Sequence, residues 1–240
     1  MEDNIKIINI LGDSLSKYRY WQNISVKDTY AYYLQKKYSD KFFIVNNSIR
    51  GQTILGINDD LLLEGKADYY IIQIGIVDCY PRVLSKFLKG ILKVLRILKL
   101  GLISDKVIKL TSKHSYFITK HLKKVYVKKE IFCNEYEEII KKLKKLNPNS
   151  NIILINIATT GPKTIARRYN VLENIIEYNK EIENLRNKYD LDLIDLFKLT
   201  LNFKSYLLED EQHISKECHF NIFREVCKII NKNENYELEI

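Results

Sequence analysis

Ile5-Lys6-Ile7-Ile8-Asn9-Ile10-Leu11-Gly12-Asp13-Ser14-Leu15 is the stretch whose reading decides the fold. Residues 5–11 are mostly apolar and β-branched with no helical period, which marks a strand buried on both faces, as in a parallel sheet. Gly12-Asp13-Ser14 then makes a tight turn that leaves a hydroxyl at the carboxyl end of the strand, where α/β sheets carry their chemistry.

Outward from that strand, strand and helix signals alternate. Tyr30, Tyr33 and Leu34 fall at helical spacing within 29–37, and 42–46 is a second strand. The loop Asn47-Ser48-Ile49-Arg50-Gly51-Gln52-Thr53 follows, then a helical run to Leu63 and a third strand over 69–74 that ends at Gly75. A helix stopped by Asn147-Pro148 precedes a fourth strand at 151–157, which ends at Gly161-Pro162. A helix over 171–189, a fifth strand over 191–196 and a helix over 215–231 complete the pattern. Such alternation predicts an α/β chain with a five-stranded parallel sheet between helical layers. Its strand-to-helix loops open on one edge, so Ser14, Gly51, Gly75, Gly161 and Asp210-Glu211-Gln212-His213 converge there. A serine, a histidine and an aspartate on one edge are the parts of a nucleophilic triad, with Ser14 attacking, His213 as base and Asp210 holding its tautomer.

These spaced blocks resemble those of the SGNH hydrolase family, the GDSL-type esterases: Gly12-Asp13-Ser14-Leu15, then Asn47 through Gly51 with Thr53, then Asp210 and His213. The resemblance covers 5–230 except for one insertion. It implies a flavodoxin-like three-layer α/β/α sandwich, one domain over 1–240, and an oxyanion hole made by the backbone N–H groups of Ser14 and Gly51. The third block departs from the family pattern, because Gly-x-Asn-Asp stands here as Gly75-Ile76-Val77-Asp78 and Val77 cannot donate a hydrogen bond. Losing one such donor costs about 10²–10³ in rate. Gln73, a protonated Asp78 and Arg82 are candidates to replace it, and Asp13, Asp78 and Arg82 are candidates to bind substrate. The string Gly75-Ile76-Val77-Asp78-Cys79-Tyr80-Pro81-Arg82 resembles a version found in SGNH proteins linked to bacterial surface-polysaccharide biosynthesis. The implied activity is a serine esterase that removes O-acetyl or another small acyl group from a carbohydrate or its lipid-linked precursor. An O-acyltransferase using the same triad and a catalytically silent glycan- or lipid-binding module are the alternatives.

The insertion spans 82–129 and is expected to be a helical cap or lid. It holds fourteen basic residues against Asp105 alone, so it carries +13 in a chain whose net charge is +9 and leaves −4 on the remainder. Within 84–99, Lys86, Lys89, Lys93, Arg96 and Lys99 fall on one side of a helix and Leu84, Phe87, Leu88, Ile91, Leu92, Leu95 and Leu98 on the other. That face is expected to meet the core, another subunit of a homo-oligomer, an anionic membrane surface or an anionic glycan. Nucleic acid is not expected, since the insertion lacks a recognised nucleic-acid motif.

Cys79, Cys133, Cys218 and Cys227 have no Cys-x-x-Cys spacing and are expected to stay reduced. His114 and His121 lack acidic or cysteine neighbours, so no metal site is expected, and the triad chemistry calls for no cofactor. Met1-Glu2-Asp3-Asn4 is acidic and polar, unlike a signal peptide, and no stretch has the roughly 18 apolar residues of a membrane span. The expected location is the cytoplasm, with any membrane contact peripheral.

Overall fold

The computed structural model describes residues 5–63, 66–84, 86–99, 101–202 and 204–236. Strand β1 (Lys6–Gly12) lies between β2 (Phe42–Asn46) and β3 (Tyr69–Gln73), with β4 (Asn151–Ile155) and β5 (Asp192–Ile194) beyond β3. All pairs are parallel, in the order β2-β1-β3-β4-β5. The chain first steps from β1 to one side and then returns to the other, so β1 and β3 flank the switch point where such sheets bind ligands. Ile8, Ile10 and Leu11 of β1 and all five residues of β3 are buried, which fits apolar runs covered on both faces.

The helices are α1 (Tyr30–Lys37), α2 (Asp59–Leu63), α3 (Ile76–Cys79), α4 (Lys86–Ile97), α5 (Gly101–Lys113), α6 (Ser115–Leu122), α7 (Lys129–Leu146), α8 (Pro162–Arg167), α9 (Val171–Tyr189), α10 (Leu196–Asn202) and α11 (Lys216–Glu234). Contacts of α1 with α11 and of α7 with α9 build a helical layer on each face of the sheet, giving the three-layer α/β/α sandwich. Several caps are readable in the residues: Thr29 accepts from the Tyr32 N–H to start α1, and Ser215 accepts from the Cys218 N–H to start α11.

Two strands fall at least two residues short of their apolar runs. The fourth run, 151–157, leaves the ladder after Ile155 because Asn179 on α9 brackets Ile157, accepting from its N–H at 2.7 Å and donating to its carbonyl at 2.9 Å. The fifth run, 191–196, pairs only over Asp192–Ile194, since Asp195 accepts from the Lys198 N–H at 3.0 Å and turns the chain into α10. The helical run to Leu63 divides into a 3₁₀ turn at Ile54–Gly56 and α2.

Within 82–129 the chain forms α4, α5 and α6. The side chains of Lys86, Phe87, Leu88, Lys89 and Lys93, on which the two-sided reading of 84–99 leans, lie outside the described residues. Among those that are described, Leu92 is buried, while Ile91, Val94 and Leu98 are exposed. No described helix is long and apolar enough to cross a membrane.

On α11, His219 is 1% exposed, packed at 5.8 Å against the ring of Tyr30, and its Nδ1 has no partner. Burial lowers its pKa from 6.5 to about 3, with Asp28 opposing weakly. The folded state therefore refuses a proton that the unfolded chain accepts, and this contribution to stability is present above the unfolded pKa and lost as pH falls. The slope is about 1.4 kcal/mol per pH unit. His219→Phe removes the titration, so its stability measured by urea unfolding gains on wild type by about 2 kcal/mol between pH 6.5 and 5. A stability difference that does not change with pH contradicts the assignment.

Candidate active site

Gly12 is where three strand-end loops close. A Cβ there would stand 2.5 Å from Ser16 Oγ, 2.9 Å from the Gln73 carbonyl oxygen and 3.0 Å from Ser48 Oγ, so only glycine lets the loops after β1, β2 and β3 meet. The Gly12 carbonyl accepts from the Ile49 N–H at 3.0 Å, and the Asp13 N–H donates to the Gln73 carbonyl at 3.2 Å. Asp13 then caps the 3₁₀ turn Ser14–Ser16 by accepting from the Leu15 N–H at 2.8 Å. Ser14 is thereby held at the head of β1.

Ser14 Oγ lies 3.1 Å from His213 Nε2, and His213 Nδ1 lies 2.7 Å from Asp210 Oδ2. Asp210 Oδ1 also accepts from the backbone N–H groups of Gln212 and His213, both at 3.0 Å, so the carboxylate fixes the loop that carries the imidazole. Two further groups reach Asp210: Gln22 Nε2 donates to Oδ2 at 2.9 Å, and Arg19 Nη2 stands 3.9 Å from it. Burial acts to raise the Asp210 pKa, but hydrogen bonds from His213, Gln22 and the Gln212 N–H outweigh it and hold the carboxyl well below its usual range. Asp210 thus stays ionised while the imidazole takes up a proton from the serine, the arrangement needed to make a hydroxyl nucleophilic.

The loops expected to converge do so. Gly161 has no room for a Cβ because the Glu211 carboxylate would lie 2.5 Å from it, and Glu211 Oε2 accepts from the Lys163 N–H at 2.6 Å at the start of α8. Gly51 takes φ +74°. Both its N–H and that of Ser14 are left without a protein acceptor among the described residues. Val77 lines the cleft beside Ser14, so its side chain stands on the wall where the family pattern has a donor.

The other candidates for donor and substrate contact are placed differently from one another. Gln73 is buried, and its Oε1 accepts from Ser16 Oγ at 2.6 Å. Asp13 and Asp78 are 1% and 0% exposed, beneath the cleft rather than on it. Asp78 Oδ1 accepts from the Ile54 N–H at 2.9 Å, which ties the loop after β2 to the loop after β3. Burial pushes both carboxyls up to about 7, with the charge of Asp78 adding to the rise at Asp13. Arg82 sits over the Tyr126 ring, its guanidinium carbon 3.2 Å from the ring centre, and donates to the Tyr126 carbonyl.

The cleft itself measures about 200 Å³ and is lined by Ser14, Ile76, Val77, Tyr80, Tyr126, Gln212 and His213. On the Asp210 side, Arg19, 3.9 Å from Asp210, lies 4.9 Å from the Trp21 ring, which forms an aromatic rim there. Trp21 is 63% exposed beside Gln22, and Arg50, next to Gly51, lies 5.0 Å from the Trp21 ring and 4.5 Å from that of Tyr18. Sequence reasoning missed Gln22, Arg19 and this rim, since 15–24 has neither helical nor strand periodicity. Among the described residues no group of three His, Cys, Asp or Glu side chains is arranged to hold a metal ion.

A family model described as the GDSL-like Lipase/Acylhydrolase family matches residues 10–221. Among solved structures, the chain is similar to a lipase/acylhydrolase from Enterococcus faecalis, with a TM-score of 0.65 and 16% identity over 95% of this chain and 97% of that one. It is also similar to the psychrotrophic esterase EstA from Pseudoalteromonas sp., with a TM-score of 0.60 and 18% identity over 96% and 99% of the two chains. A catalytic mutant of an acetylxylan esterase from Geobacillus stearothermophilus gives a TM-score of 0.59 and 16% identity over 93% of each chain. No curated protein matches in sequence. At these identities the structural likenesses speak for the fold.

Val77→Asn places a donor on the cleft wall, and the kcat for a short-acyl ester is expected to stay level or rise, with the roughly 10²–10³ value of one oxyanion donor as the ceiling. Steady-state kinetics with p-nitrophenyl acetate measures it. A tenfold loss in a variant with unchanged circular dichroism means that the site is built around Val77 and that the oxyanion lies elsewhere.

Proposed function

The chain belongs to the GDSL-like lipase/acylhydrolase family and is an ester-hydrolysing serine hydrolase, and we propose that its ester is an O-acetyl or similarly small acyl group on a carbohydrate or its lipid-linked precursor. The observation that carries this reading is the size of the cleft in front of Ser14 and His213, about 200 Å³, which suits a short acyl group better than a long chain. The exposure of Trp21 supports a sugar on the alcohol side, because an exposed aromatic ring can pack against the apolar face of a pyranose ring once the Arg side chains over it move aside. A place in surface-polysaccharide biosynthesis is supported by the resemblance of residues 75–82.

In this reading Ser14 Oγ attacks the ester carbonyl as His213 Nε2 removes its proton, and the tetrahedral oxyanion is met by the N–H groups of Ser14 and Gly51. Collapse breaks the bond to the sugar oxygen, which takes the proton back from His213 and leaves an acyl group on Ser14. Water activated by the same imidazole then attacks the acyl carbon, releasing the carboxylic acid and restoring the hydroxyl. Asp210 stabilises the imidazolium in both halves.

Two measurements test the proposal. Ser14→Ala and His213→Ala should each lower turnover of an acetylated xylo-oligosaccharide at least about 10³-fold, and Ser14→Ala should abolish labelling by a fluorophosphonate. Turnover that survives both substitutions removes the triad. Trp21 is the single tryptophan of the chain, so its fluorescence reports on the rim directly. Acetylated oligosaccharide should quench or shift it, and Trp21→Ala should lower kcat/KM for the oligosaccharide about tenfold relative to that for p-nitrophenyl acetate. Equal losses on the two substrates, with no fluorescence change, exclude a sugar at this rim.

A further inference from the structure

The insertion leaves the sheet edge directly after α3, whose Ile76 and Val77 line the cleft, yet few of its own side chains join the core. Leu92, Ser104, Ser115 and Thr119 are buried among its helices, three of them through hydroxyl-bearing groups. Polar contacts attach α6 to the end of α8 and the segment after it: Ser115 Oγ donates to the Arg167 carbonyl at 3.0 Å, and Thr119 Oγ1 accepts from the Tyr169 N–H at 3.0 Å. The other end of the insertion is apolar and open. Val94, Ile97, Leu98, Leu102, Ile103 and Leu110 are all exposed, Leu102 at 82% and Ile97 at 71%, and most of them gather around the turn between α4 and α5.

The charge around this tip has one sign. Asp105 is the only acidic residue of the insertion, and it is paired with Arg96 across α4 and α5 at 2.8 Å. Lys99, Lys106 and Lys109 are exposed and have no ion pair among the described residues. A second copy meeting this tip face to face would set Lys99, Lys106 and Lys109 against their own copies. A lipid surface needs no matching groove for a convex apolar tip, and anionic headgroups supply the opposite charge. We propose that the α4–α5 turn docks the protein on an anionic membrane surface, its apolar residues entering the headgroup boundary and its lysines resting on lipid phosphates. The helices lie on the bilayer rather than across it, since none described is long and apolar enough to span. Docking does not depend on ester cleavage at Ser14 and should be kept by Ser14→Ala.

The experiment is co-sedimentation of the full chain with vesicles of equal phosphatidylglycerol and phosphatidylcholine, compared with phosphatidylcholine alone. Binding to the mixed vesicles at low salt should be at least about tenfold tighter than to neutral vesicles and should fall as salt shortens the Debye length. Lys99→Gln, Lys106→Gln and Lys109→Gln together should weaken it by about two orders of magnitude, following the usual contribution of a basic residue at such a surface. Ile97→Gln, Leu102→Gln and Ile103→Gln together should weaken it at least tenfold, and these surface changes should leave hydrolysis of p-nitrophenyl acetate as a check on folding. Failure of wild type to sediment with the mixed vesicles overturns the proposal. So does equal binding by wild type and both triple variants, or a dimer in sedimentation equilibrium that the apolar triple variant splits while vesicles bind nothing.

Discussion

The site depends on the absence of a side chain at Gly12. Ser16, Ser48 and the Gln73 carbonyl, one from each of three loops, all stand within 3.0 Å of where its Cβ would be. A methyl group there must separate the loops, and with them Ser14 from the loop that carries Gly51. Such close packing at a switch point has a cost, because it buries polar groups with few partners. Asp13 and Asp78 are examples: each carboxyl accepts a backbone N–H, Asp78 Oδ2 has no partner, and burial raises the pKa of both to about 7. A carboxyl that can take up a proton near neutral pH is buried at lower cost than a permanent anion, and through the accepted N–H groups the pair braces the loops.

Asp210 has the opposite environment. It is half-buried, but it is surrounded by donors from His213, Gln22 and two backbone N–H groups, and it remains ionised. Three aspartates on one sheet edge therefore divide into two that support structure near neutrality and one that carries charge. The division follows from the number of donors each carboxyl meets, not from depth alone.

Much of this was legible from residue order. Strands β1, β3 and β4 announce themselves as apolar β-branched runs, α9 is bounded as its periodicity implies, and the Ser14, Asp210 and His213 spacing reveals the hydrolase edge because parallel topology brings all strand ends together. What stayed hidden was long-range and polar. Asn179 ends β4 from twenty-two residues away, and Asp195 ends β5 by capping a helix whose apolar residues look like strand. Gln22 and Arg19 meet Asp210 across 188 and 191 positions from a loop without period, so no local pattern could assign them. Burial of Asp13 and Asp78 was hidden for the same reason: a carboxyl beside a catalytic serine suggests substrate contact until packing turns it inward.

The distribution of charge and exposure follows from how the insertion is attached. A helical excursion between β3 and β4 has no sheet face left to cover, because α7 and α9 already occupy that layer. Val127 and Tyr126 at its end reach the core, but the apolar residues at the α4 and α5 ends have only each other, solvent or an external surface to meet. Solvent alone would favour their replacement by polar residues, as the hydrophobic effect acts against a cluster of large exposed side chains. The proposed docking would give the exposed apolar cluster at the tip, with Lys99, Lys106 and Lys109 beside it, an apolar surface to enter, while the hydroxyl contacts of α6 join the insertion to the body. The insertion begins just after α3, whose Ile76 and Val77 line the cleft, so under that proposal docking at the tip would orient the cleft relative to the lipid surface.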